Sequence, residues 1–379
     1  MSSAHAAPRA AYIHIPFCYH KCGYCDFASL AGVDHLADRY LEALGAELAT
    51  LGRPREVETI FIGGGTPTRL TAQQLDRLCG AIRHWLPLHD GGEWTVEANP
   101  ETLDAEKADA LLGGGVNRVS LGAQSFHVPS LRVLERDHGP DAVVLALGHV
   151  RPRFKRWSLD LIFGVPGSDL ATWGTDLETA LALGPTHISC YGLTYEKGTP
   201  LYQLRQRGGV RPVDEEVELA MFEHTIDRLR AAGLEQYEVS NYAKPGEECR
   251  HNLVYWANEP YYGFGVGAAR YVDGMRSINT RDLSAYLKRI EAGQSATGPT
   301  EELGPEPRAR ETAVLMMRRL KMGVDRADFR ARTGFQLDEL VGPALKKQTA
   351  QGWLMDDGRV VRLTRVGLFL ADSVLAAWL

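Results

Sequence analysis

A chain of 379 residues, 44% apolar and 24% charged, has ordinary globular composition and is long enough for one large and one small domain without disulfide staples. Its net charge of −6 is uneven: residues 308–379 carry 13 Lys and Arg against 8 Asp and Glu, leaving −11 elsewhere, so the main body is not built to bind nucleic acid. No apolar run approaches a membrane span and residues 1–11 lack the apolar core of a secretion signal, so a cytoplasmic protein is expected.

In chain order, residues 1–10 read as a flexible amino terminus. From residue 11 to about 195, six β-rich runs alternate with helical patterns: Ala11 to Phe17, Glu58 to Ile62, Glu93 to Ala98, Arg118 to Ala123, Trp157 to Phe163 and His187 to Leu193. Such alternation implies parallel βαβ units, and an open α/β sheet or a partial or complete barrel fits the pattern equally well. Between the strands, Leu36, Tyr40, Leu44, Leu48 and Leu51 follow helical spacing, as do Leu75, Leu78, Ile82 and Trp85 behind a Thr71 cap. Another amphipathic helix is predicted over 213–232, and aromatic, glycine-rich sequence fills 237–271. Residues 298–307, Gly-Pro-Thr-Glu-Glu-Leu-Gly-Pro-Glu-Pro, read as a linker closing a large domain of residues 11–297. Beyond it, helices over 308–322, 325–332 and 336–351, a hairpin turning at Asp356-Asp357-Gly358 and a last helix from Thr364 suggest a winged-helix-like module over 308–379. Its basic residues are spread over several elements, which favours packing or partner docking over nucleic acid.

The chemistry concentrates in the first strand's exit. Cys18, Cys22 and Cys25 form a CxxxCxxC loop directly after Ala11-Tyr-Ile-His-Ile-Pro-Phe17. Three thiolates on one short loop suit three irons of a four-iron four-sulfur cluster and leave the fourth iron open, as a catalytic cluster requires. Zinc held by these cysteines with His14 or His20 is the alternative, but no second pair of ligands at zinc spacing follows. Cys79, Cys190 and Cys249 are scattered and read as buried small apolar residues.

Further along, Gly63-Gly64-Gly65-Thr66-Pro67-Thr68 follows the second strand without the Gly-Lys-Ser/Thr ending of a phosphate loop. Glu97 ends the third strand, Gln124 ends the fourth and Asp160 lies in the fifth; polar residues recurring at strand ends of a parallel barrel point to one site at its mouth. Gly263-Phe-Gly-Val-Gly-Ala268 lacks the strand-turn-helix context of a dinucleotide fingerprint. Instead the glycines stand close to Tyr255, Trp256, Tyr261 and Tyr262 in an aromatic block that follows His251.

CxxxCxxC after a first strand, with Tyr24 before the last cysteine, resembles the radical S-adenosylmethionine (SAM) superfamily. The Tyr12-Ile-His-Ile-Pro-Phe-Cys18 lead-in and the Arg250-His-Asn-Leu-Val-Tyr-Trp256 block resemble its coproporphyrinogen III oxidase-like branch, a likeness under which Tyr255, Trp256, Tyr261 and Tyr262 offer a flat apolar surface for a tetrapyrrole and His251 is a candidate axial iron ligand. The resemblance implies a partial (β/α)6 barrel and a cluster whose open iron is chelated by SAM, which is then cleaved to a 5′-deoxyadenosyl radical. It implies that Tyr12, Gly64 and Glu97 serve a first SAM beside the cluster loop, while Tyr24, Gly65, Thr66, Gln124, Arg136 and Asp160 surround a neighbouring pocket; the glycines are expected to let backbone groups approach SAM. Within the branch, the decarboxylating oxidases carry a fourth cysteine, CxxxCxxCxC, where this chain has Phe27, and an amino-terminal extension before the first strand that is missing here. Both departures resemble the HemW type. The expectation is therefore a chaperone that carries haem as cargo to respiratory proteins, with an electron donor for the cluster, a homodimeric assembly and a station at the inner face of the membrane. Alternatives are an oxygen-independent coproporphyrinogen III decarboxylase, a radical SAM methyltransferase and a zinc-stabilised adaptor.

Overall fold

The computed structural model describes residues 7–379; residues 1–6, most of the expected flexible terminus, lie outside the described residues. The remainder of that stretch is tied down. Arg9 pairs with Glu58 at 2.7 Å and Glu259 at 2.5 Å, and Ala10 already belongs to the first strand.

Six parallel strands carry the fold: β1 (Ala10–Ile15), β2 (Val57–Gly64), β3 (Leu88–Ala98), β4 (Arg118–Gln124), β5 (Arg156–Phe163) and β6 (His187–Gly192). They lie side by side in sequence order, and β6 does not close onto β1. Antiparallel β7 (Glu235–Gln236) and β8 (Asn241–Ala243) extend the β6 side. On the other, β9 (Tyr261–Phe264) runs parallel to β1 and leads into an antiparallel run of β10 (Ala269–Val272), β11 (Met275–Asn279) and β12 (Thr297–Glu302). The result is a twelve-stranded, mostly parallel sheet, curled into a partial barrel: residues from all six parallel strands line one cavity on its concave side.

The opposite face is apolar and covered by helices. Among these, α1 (Ala37–Ala49) and α2 (Ala72–Trp85) bury Tyr40, Leu44, Leu48, Leu75, Leu78 and Ile82 against Ile13, Ile60 and Val96 of the sheet. Helix α2 starts at a capping box, in which Thr71 Oγ1 accepts the Gln74 amide hydrogen at 3.2 Å and Gln74 Oε1 accepts that of Thr71 at 3.0 Å. The period-2 alternation of a strand therefore sorts apolar residues outward to the helices and Arg118, Ser120, Ser158, Asp160, His187 and Ser189 inward.

The expected 298–307 linker takes another form. Residues 297–302 are β12, paired with β11, and a helix begins at Pro305. Exposed backbone pairing, rather than apolar content, holds that strand, so no hydrophobic pattern announces it. Beyond it, a second core forms around Met316, Met317, Phe329, Val341, Val361 and Trp378, with the expected hairpin as Leu354–Asp356 and Val360–Leu363. The module meets the body through Arg276–Glu311 and Arg365–Asp227 ion pairs and a backbone bond from Leu320 to Tyr237. Cys79, Cys190 and Cys249 are buried. Among the described residues, no helix is long and apolar enough to cross a membrane.

Candidate functional site

The cysteine loop leaves β1 at the mouth of the barrel and is fixed at both ends. Phe17 and Cys18 pair with Leu30 and Ala31, the Leu30 amide donates to Pro16 O at 2.8 Å, and the Phe17 ring packs edge-on to Tyr40. Inside the loop the Cys25 amide donates to Cys22 O at 3.0 Å, turning the chain so that all three cysteines open onto one cavity of about 360 Å³.

Glycines set the loop's footing. The Gly65 and Thr66 amides donate to Ile15 O and Phe17 O, each at 2.8 Å. A β-carbon on Gly65 would lie 2.8 Å from Phe17 O and 2.9 Å from Cys18 Sγ; one on Gly64, whose φ is +114°, would strike the His14 ring at 2.5 Å. The run is thus needed to seat the second strand against the cysteine loop, a packing role distinct from the ligand approach expected of it. Thr66 Oγ1 donates to Cys18 Sγ at 3.7 Å and Arg136 Nη1 to Cys22 Sγ at 3.4 Å, so two of the three sulfurs already carry a hydrogen bond. Burial pushes the Cys18 and Cys25 thiols up, so loading iron must release protons.

Around this loop the same cavity gathers Tyr24, Gly64, Gly65, Thr66, Glu97, Gln124, Arg136 and Asp160; Asp160 lies mid-strand in β5, and the others are at strand ends or in the loops beyond them. Two are held by unusual backbone: Gln124 at φ +64° and, beside Arg136, Glu135 at φ +53°, which also bonds His20 at 3.1 Å. Left-handed non-glycine residues are uncommon, and two of the four in the described chain sit here. The Gly64 amide donates to Glu97 Oε2 at 3.0 Å, yet burial and the nearby Asp160 push the Glu97 carboxyl up to about 8. Asp160 is also pushed up by burial, against hydroxyls from Ser189 and Ser120, the latter 3.0 Å from both carboxylate oxygens.

Tyr12 and His251 lie elsewhere. Both line a second cavity, about 520 Å³, deeper in the barrel and sharing Gly64, Glu97, Ser120, Asp160 and Tyr191 with the first. Tyr12 OH meets His14 Nδ1 at 3.0 Å and its ring stacks on Phe61. His251 is 1% exposed, with Nδ1 2.9 Å from Thr59 Oγ1 and Nε2 2.8 Å from Tyr255 OH; burial lowers it to about 4, so the imidazole is neutral. As it stands its lone pair is taken by a hydroxyl, and a haem iron reaches it only if one of these bonds opens. Of the four rings expected to make a flat surface, Tyr255 and Tyr261 line this cavity but stand edge to face at 4.6 Å, and Trp256 and Tyr262 are not among its lining residues.

The donor set fits a multi-iron cluster better than a single zinc. His14 has both ring nitrogens engaged, by Tyr12 and by Ala28 O, each at 3.0 Å, and His20 Nε2 meets Glu135 at 3.1 Å, so both histidines are turned to other partners than the cysteines. Three thiols spread around one cavity wall match the separate irons of a cubane. Residues that sequence reasoning passed over include Ser120, Asn99 and Tyr191, while Phe27, marked in the sequence only as the replacement of a cysteine, lines both cavities. Ser120 had a signal: it stands two residues from Gly122 on the inward face of a strand already marked by Gln124.

Comparison with known proteins places these features. Residues 12–180 match the Radical SAM superfamily model and residues 303–370 the HemN C-terminal domain model. The chain is 39% identical over 377 residues to "Heme chaperone HemW" of Bacillus subtilis (strain 168), covering 98% of this chain and 99% of the relative. It is 36% identical over 389 residues to the protein of that name in Escherichia coli (strain K12), covering 98% of each. Among solved structures, coproporphyrinogen III oxidase (HemN) from Escherichia coli, described as a radical SAM enzyme, superposes with a TM-score of 0.86 at 22% identity, over 99% of this chain and 91% of that one; the likeness is one of fold.

Proposed function

The chain belongs to the radical SAM superfamily, among the relatives named heme chaperone HemW, and from that premise we propose that it is a haem chaperone: it binds haem as cargo, carries a SAM-ligated four-iron four-sulfur cluster on Cys18, Cys22 and Cys25, and hands haem to other proteins. The observation that carries this reading is identity of 39% sustained over both chains end to end, together with Phe27 two residues past Cys25, where a fourth cysteine would mark the decarboxylase.

In this reading the bound cluster supplies an open iron for the amino and carboxylate groups of SAM. The chain's own residues do the positioning. Thr66 and Arg136 orient the Cys18 and Cys22 sulfurs, Glu97 and Asp160 present acidic groups to the same cavity, and Gln124 and Tyr24 bound it. Tyr12 faces the deeper cavity, so a role for it at SAM is through the shared wall at Gly64 and Glu97. Respiratory proteins as acceptors, an external electron donor, a homodimer and work at the cytoplasmic face of the membrane complete the proposal, with the carboxy-terminal module as the docking unit.

Anaerobic reconstitution with iron and sulfide, followed by haem titration and a coproporphyrinogen III assay, tests it. Stoichiometric haem binding without decarboxylation is expected. Conversion of coproporphyrinogen III to protoporphyrinogen IX would return the protein to haem biosynthesis, the second reading, which the fold likeness to HemN alone leaves without support for its reaction.

A further inference from the structure

At the inner end of β4, Arg118 lines the deeper cavity while being only 2% exposed. Among the described residues its guanidinium makes no hydrogen bond and no ion pair within contact distance, and its nearest countercharge is the buried Glu93 carboxylate, which Arg118 and Arg156 together hold below its ordinary value. Glu93 faces Arg156 Nη1 at 3.1 Å and accepts from the Cys249 thiol at 3.5 Å and the His251 amide at 3.2 Å. Asp160 is held by Ser120. The Arg118 charge is thus offset, but its planar fork of N–H donors meets no acceptor where it lines the cavity, which leaves a place for one.

The walls say which kind. Above Arg118 the cavity presents the rings of Tyr12, Phe61, His251, Tyr255 and Tyr261, and through Gly64 and Glu97 it opens into the chamber of the cysteine loop. Arg118 stands two residues below Ser120 along the strand, roughly 7 Å deeper. A flexible acidic arm reaches that depth while a flat ring system stays among the aromatic residues. The planar fork of an arginine matches a carboxylate, and the match is strongest where water is excluded.

We propose that this cavity is a carboxylate-binding site anchored by Arg118 and, resting on the haem-chaperone reading above, that the carboxylate is a propionate of the cargo haem. The anchor orients haem with its acidic edge toward the inner end of the barrel and its opposite edge toward the cysteine loop.

The test is titration of the reconstituted full chain with haem and with haem dimethyl ester, in the parent protein and in Arg118→Gln and Arg118→Lys variants. Haem affinity is expected to fall about ten- to hundredfold in Arg118→Gln, as for loss of a hydrogen-bonded charge pair, and less in Arg118→Lys. The ester is expected to bind the parent as weakly as haem binds Arg118→Gln, a comparison that needs no variant to fold. Equal affinity for haem and its ester in the parent, or unchanged haem affinity in Arg118→Gln, overturns the proposal. Failure of the parent to bind haem at all overturns the chaperone reading and the propionate with it. A succinate titration then decides the rest: thermal stabilisation of the parent but not of Arg118→Gln keeps the carboxylate site, and none removes it.

Discussion

The Gly65 α-carbon faces Cys18 so closely that a β-carbon there would stand 2.9 Å from Sγ. The contact joins two motifs 47 residues apart in sequence and makes the cysteine loop's position depend on a residue with no side chain. Gly65→Ala is therefore expected to cost about 1–3 kcal/mol, as overpacking does, and to lower iron and acid-labile sulfide recovered after reconstitution. Gly80→Ala is the control: it lies inside α2 with open space around it, and is expected to stabilise by about 0.5–1 kcal/mol and to load iron normally.

Arg136 touches a sulfur directly, at 3.4 Å from Cys22 Sγ. Hydrogen bonds to cluster sulfurs help set reduction potential by offsetting the charge of the reduced state. Arg136→Met is expected to bind the cluster with a more negative midpoint potential, read by electron paramagnetic resonance in a redox titration. An unchanged potential would mean that the contact is lost once iron is bound.

Glu97 gives a pH dependence of definite sign. Its carboxyl is held up to about 8 in the fold against an ordinary value of 4.5, so the folded apo chain binds the extra proton between those limits and loses stability as pH rises through them. The slope is at most about 1.4 kcal/mol per pH unit. Buried neutral His14, His138 and His251, each lowered to about 4, act oppositely but only below 6.5. Denaturant unfolding of the apo chain between pH 6.5 and 8 is therefore expected to show stability falling in the parent and a flatter profile in Glu97→Gln.

His251 and Tyr255 offer a way to ask whether this histidine takes haem iron. Tyr255→Phe removes the hydroxyl 2.8 Å from Nε2. If His251 ligates, this variant is expected to bind haem with a larger low-spin fraction in its optical spectrum, and His251→Ala to abolish that fraction. The cost to the apo fold of His251→Ala is about 1–3 kcal/mol, because Thr59 and Tyr255 both lose a buried partner.

What the sequence discloses follows from what each segment buries. The six parallel strands are covered by helices on one face and line a lumen on the other, so their apolar runs stand out; the third alone extends well beyond its expected start. Its first residues, Leu88–Gly92, are largely exposed and join the sheet through an irregular register opposite Val57. CxxxCxxC and the glycine run are legible because their chemistry is local. Which cavity a strand residue faces is not local: Tyr12 reads as a neighbour of the cysteines from its place in the chain, and its ring turns to the deeper chamber. Arg118 was hidden as a polar residue at a strand's start, where solvent is the ordinary expectation, until the sheet's curvature enclosed it.

The segment read as a linker has one more implication. Strand β12 ends the sheet on one side, and its Gly-Pro-Thr-Glu-Glu sequence is largely exposed; on the other side β7 is two residues long, with Glu235 paired to Lys321. Proline withholds a donor from any newcomer, and adjacent carboxylates repel its backbone carbonyls. Both margins of a twelve-stranded sheet are thereby closed to recruitment of a further strand, which guards against runaway aggregation. Two copies that associate must therefore do so through side chains rather than by stitching their sheets into one.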